Sequence, residues 1–136
     1  MWRRLTTDTS QSAFEAMAHA SIARLPDAFR RHLEGVVVRV PDFATPEQLE
    51  AVGLSDPWEL SGLYEGNPVS EHSIWESGTM PAIISLFRKP LLAEWRATGV
   101  RLPDLVHHVV VHEAGHHFGL SDDAMHAIED DLDTDF

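Results

Sequence analysis

Val109-Val110-Val111-His112-Glu113-Ala114-Gly115-His116-His117-Phe118-Gly119-Leu120-Ser121-Asp122 joins an apolar run to an H-E-x-x-H spacing. On an α-helix, residues four apart lie one turn above each other on one face. His112 and His116 can therefore aim two imidazole nitrogens at a single metal ion. Glu113 sits about 100° further round the helix, where it reaches a metal-activated water without taking a ligand position. Hydrolysis by Zn²⁺ needs this set: two fixed nitrogens, an open coordination position and a carboxylate base.

The chain has nine histidines, so three fixed positions alone are a modest signal, and the flanks decide. Leu105, Val106, Val109, Val110 and Val111 supply an apolar surface that buries such a helix. Pro103 suits a helix start, because its missing N–H would have no acceptor there. Gly119 suits a helix end, in a left-handed turn that glycine adopts cheaply. The spacing predicts a motif helix over 103–118. Asp122 follows Gly119 by three residues, completing H-E-x-x-H-x-x-G-x-x-D. It reads either as a third ligand or as a first-turn carboxylate of a last helix over 122–130, capped by Ser121. Asp123 is the fallback ligand.

The 136 residues suit one domain over 1–136, with 1–10 and 131–136 as frayed ends. The formal net charge of −12 argues against nucleic-acid binding, which wants a basic stripe. Acidic residues crowd the end, from Asp122 and Asp123 to Asp133 and Asp135. Without cysteine, any metal must be held by His and carboxylate. The opening residues have two arginines but no apolar run behind them, and no stretch approaches the ~20 apolar residues of a membrane span. A cytoplasmic protein with no membrane partner is the expectation. Nothing in the sequence speaks to the oligomeric state.

Phe14, Ala18, Ile22, Leu25, Phe29 and Leu33 form an amphipathic helical stripe over 11–33, kinked or restarted at Pro26. Its histidines, His19 and His32, read as surface residues. Val36 to Val40 reads as a strand after Gly35. Pro46 to Val52 reads as a short helix, with Thr45 as cap and Gly53 as stop. Leu60 to Tyr64 is a short strand weakened by Gly62. Residues 65–81 read as an irregular loop, where His72, Ile74 and Trp75 could line a substrate cleft or only pin the loop. Ala82 to Phe87 is a second strand, closed by Arg88-Lys89-Pro90, and Leu91 to Thr98 is a helix stopped by Gly99.

The region 110–122 resembles zincin metallopeptidases. More closely, the chain resembles a family of small bacterial zinc-metallopeptidase-like proteins, a minimal zincin-like domain. The matching pieces are L-P-D-A-F-R-R-H-L at 25–33, G-L-Y-E-G at 62–66, I-S-L-F-R-K-P-L-L at 84–92 and V-V-H-E-A-G-H-H-F-G-L-S-D at 110–122. The resemblance implies an α+β fold, with helices packed on a small mixed sheet and the motif on a long buried helix. It implies His112 and His116 as Zn²⁺ ligands and Glu113 as the catalytic base. Asp122 stands where metzincin-like patterns have His or Asp. The Met-turn of metzincins has no counterpart, and Met125 reads as packing in the last helix.

The expected function is a zinc-dependent hydrolase of peptide or amide bonds, acting on a peptide or protein substrate of narrow range. The rival is a metal-holding module that binds a partner protein without general proteolysis. Tyr64, His72, Arg88 and His117 are candidate donors to a developing oxyanion. His108, one turn before His112, reads as a partner of the ligands or as an extra imidazole. By analogy with zincins, strand 83–87 is the expected edge for an extended substrate.

Overall fold

The computed structural model describes residues 7–66 and 81–117. Helix α1 runs Gln11–Ala23. Its Ser10 cap accepts from the Ala13 N–H at 3.1 Å, satisfying one donor that has no partner within the helix. Pro26 restarts the chain, as N-cap of the single turn α2, Asp27–Arg30, which tightens into a 3₁₀ turn at Arg31–Leu33. The predicted stripe is continuous across this break. Phe14, Ala18, Leu25 and Leu33 are all buried, with Ile22 and Phe29 packed beside them. His19 is exposed, as expected, and the side chain of His32 lies outside what is described.

Strand β1 is Val37–Arg39. Helix α3, Pro46–Ala51, has a full capping box, in which Thr45 and Gln48 satisfy each other's backbone N–H. A 3₁₀ turn follows at Pro57–Glu59, with Asp56 accepting from the Trp58 N–H at 3.0 Å. Strand β2 is Gly62–Glu65 and β3 is Ile83–Leu86. Helix α4, Arg88–Thr98, stops at Gly99 in the left-handed conformation, φ +72°. Helix α5, Leu102–His117, carries the motif.

Helix α4 begins three residues earlier than its composition suggests. Pro90 falls in its first turn, where the missing N–H costs nothing. The N–H groups of Arg88 and Lys89 donate instead to Pro41 O (2.9 Å) and Asp42 O (3.1 Å), which ties this helix start to the chain leaving β1.

The sheet order is β1-β3-β2, with β1 parallel and β2 antiparallel to β3. This corrects the expectation that strand 83–87 is an edge. Both sides of β3 are hydrogen-bonded, and among the described residues β1 and β2 are the outer strands. The sequence has the physical reason within it: a nearly unbroken apolar run suits a strand buried from both faces. Ile84 and Leu86 are fully buried, as is Phe87 just beyond the strand.

Ile84 and Leu86 pack with Phe14 and Ala18 of α1, Leu91 of α4, and Leu102, Val106 and Val110 of α5 in one apolar core. Helix α5 therefore packs against α1 and against β2 and β3, while α1 meets the sheet at β1. A second cluster, Ala44, Leu49 and Phe87, joins α3 to the start of α4. The architecture is α+β, helices on a small mixed sheet, as expected. No helix among the described residues is long and apolar enough to cross a membrane. The loop residues His72, Ile74 and Trp75, and the proposed last helix, lie outside the described residues.

Candidate metal centre

Helix α5 is held in place by both faces. Val106, Val109 and Val110 bury it in the main core, while Val111 and Ala114 close over Leu25 and Leu33. On the α1 side, Ser21 and His107 are both buried, and the Ser21 hydroxyl lies 2.5 Å from His107 Nδ1. A buried polar pair of this kind fixes the rotation of the helix about its axis, since turning it would strand both groups. The rotation leaves His108, His112 and His116 as a stripe on the opposite, accessible side, with His112 half-buried and His116 exposed.

The His112 and His116 rings have centroids 5.0 Å apart and planes inclined by 67°. Imidazole nitrogens bind zinc at ~2.0–2.1 Å. With the ring centre about 1.1 Å beyond the nitrogen and a tetrahedral angle at the ion, two coordinated rings have centres about 5 Å apart. The pair thus fits a shared metal ion. The His108 ring stacks on His112 at the longer separation of 6.5 Å, with planes inclined by 28°.

Glu113 is buried to 6 % exposure, on the side of α5 that meets β2. His116 Nδ1 stands 3.2 Å from its Oε1, and the backbone N–H of Tyr64 donates to the same carboxylate. Burial pushes the Glu113 carboxyl above its ordinary value. The charges of His116 and His112 and the two hydrogen bonds pull it back only in part. An Nδ1–H committed to a carboxylate would leave Nε2 of His116 free to face an ion, a common arrangement for metal-bound histidine.

Gly62 is what lets β2 approach this helix. A Cβ there would lie 2.5 Å from Val109 Cγ1 and 3.5 Å from Glu113 Cγ. The residue that weakened the strand prediction is required by the contact with the motif helix. An isolated glycine within a strand pattern is the signal that such an approach leaves in a sequence.

Beside the imidazoles opens a cleft of about 270 Å³, lined by Glu59, Gly62, Glu94, His108, His112 and Glu113 among others. Glu59 and Glu94 come from distant parts of the chain and have no motif to announce them. Arg88, a candidate oxyanion donor, is engaged elsewhere. Its Nε donates to Thr9 O at 2.6 Å and its Nη1 to Asp42 at 3.1 Å. Tyr64 reaches the site through its backbone. The side chain of His117, together with His72, Gly119, Asp122 and Asp123, lies outside the described residues. Among the described residues, no group of three His, Asp or Glu side chains is placed to hold an ion.

A buried helix that presents two imidazoles one turn apart, with a carboxylate between them and an open cleft beside them, defines the metal-hydrolase class of H-E-x-x-H helices. The family comparison points the same way. The family described as zincin-like metallopeptidases matches residues 33–132, from the end of the α1–α2 unit through the motif helix and beyond. The chain belongs to this zincin-like metallopeptidase family. No curated protein matches it.

Proposed function

We propose that the protein is a zinc-dependent hydrolase of peptide or amide bonds with a narrow substrate range. The observation that carries the reading is the pair of imidazoles 5.0 Å apart beside a buried carboxylate and an open cleft. His112 and His116 would hold the ion, with Asp122 as third ligand. Zinc bound there supplies the Lewis acidity that polarises a carbonyl and acidifies water at neutral pH. Glu113 takes the proton of the attacking water and delivers it to the leaving amine. Burial holds this carboxyl above its ordinary value, which makes it a stronger proton acceptor. To do this the carboxylate rotates off His116 toward the cleft. Among the described residues, the outer strand beside the cleft is β2, and it replaces β3 as the place for an extended substrate to add.

The test is metal analysis of protein purified without chelators, together with mass spectrometry of a peptide pool. The expected result is about one zinc per chain and cleavage that a chelator stops and added zinc restores. A full complement of zinc with no cleavage in any pool would leave the partner-binding module as the reading.

A further inference from the structure

The cleft beside His112 and Glu113 carries two carboxylates that the hydrolytic step leaves unused. Glu59 enters from the 3₁₀ turn before β2, and Glu94 from the exposed side of α4. Among the described residues, neither has an ion-pair partner and no Lys or Arg lines the cleft. Neither joins the histidines in a group able to hold a metal, so both remain for whatever enters. The volume of about 270 Å³ falls just under the ~300–1,000 Å³ of a pocket for a whole small molecule. It suits one side chain of a longer substrate.

A lone exposed carboxylate is ordinarily a solvated surface group. Two of them facing one concave wall act on the same occupant, and a cleft of one sign of charge concentrates its field. The net charge of −12 adds to that field. Resting on the hydrolase reading above, we propose that the cleft selects peptides with a Lys or Arg side chain next to the scissile bond. Glu59 and Glu94 are the residues that select it.

The experiment uses the zinc-loaded protein and a series of Ala/Ser peptides with one Arg, each paired with a twin carrying uncharged citrulline at the same position. Two quantities are read: the Arg-to-citrulline ratio of kcat/KM for the parent protein, and the same ratio of affinities for the Glu113→Gln protein. Two exposed ion pairs together predict a ratio of about 2 to 30 at low salt. Glu59→Gln and Glu94→Gln should each lower the ratio, and the double variant or 1 M salt should bring it near one, because charges are then screened within ~3 Å. Glu50→Gln, which removes the same charge from the exposed side of α3, should leave the ratio unchanged. A parent ratio of one, or a ratio that survives in the double variant, overturns the proposal. Equal cleavage of both twins removes the selectivity and keeps the hydrolase. Selective binding without any cleavage keeps the selectivity and removes the hydrolase.

Discussion

Gly62 and Val109 stand so close that a Cβ on residue 62 would lie 2.5 Å from Val109 Cγ1. Val109 is β-branched and held to few rotamers on a helix, so it has little room to yield. Gly62→Ala should therefore cost about 1–3 kcal/mol of stability, the usual penalty for overpacking. Urea unfolding would read this as a lower midpoint at constant slope. Adding Val109→Ala should recover part of the loss, and strictly additive effects of the two changes would show that the contact is not the cause.

Metal content should follow the histidines that share the ion. His112→Ala or His116→Ala is expected to drop bound zinc from about one per chain to near zero. His108→Ala should keep it, because its ring stands further off, 6.5 Å from that of His112. Asp122→Ala should weaken zinc affinity far more than Asp123→Ala, measured by competition with a chelator. Stoichiometric binding that persists without His112 and His116 would rule out the site.

Glu113→Gln keeps the shape of the side chain but cannot take a proton from water. Hydrolysis should fall by about 10²–10⁴-fold, the usual weight of a general base. Bound zinc should change little, because Glu113 is not placed as a ligand. Loss of the metal together with the activity would count against a base and for a ligand.

The burial of Glu113 also predicts how the metal-free protein responds to pH. Its carboxyl holds its proton more tightly folded than unfolded, so folding favours the protonated form. That contribution is complete below the ordinary value of 4.5 and is lost as pH rises through the raised one. Above that raised value the parent carries a buried charge that Glu113→Gln lacks. Thermal melts of the metal-free proteins should show the variant as the more stable at pH 7–8, with the gap closing toward pH 4. A variant that is less stable at pH 8 would mean that the bonds to His116 and Tyr64 outweigh burial.

Much of the fold is local and could be read directly. The spacing of Phe14, Ala18, Leu25 and Leu33, the Thr45 cap, the stop at Gly99 and the β-branched run at 36–40 each declare their element within a few residues. At the start of α4 the local signal is ambiguous: Arg88-Lys89-Pro90 reads as the close of a strand, although the first turn of a helix tolerates proline. The zincin-like resemblance likewise rested on contiguous stretches, and the family match covers the same ground.

The sequence by itself determined that His112, His116 and Glu113 share one helix at the spacing of a metal site. Backbone geometry sets that relationship inside a single element, whatever surrounds it. Only the tertiary structure decided that β3 lies between β1 and β2 and that β2 is the strand beside the motif. It alone turned Gly62 from a weak point into the contact that admits the helix. It alone brought Glu59 and Glu94 to the wall of the cleft and buried Glu113 deeply enough to raise its pKa. Strand neighbours, cavity walls and desolvation depend on contacts between residues far apart in the chain, and spacing within one element carries no record of them.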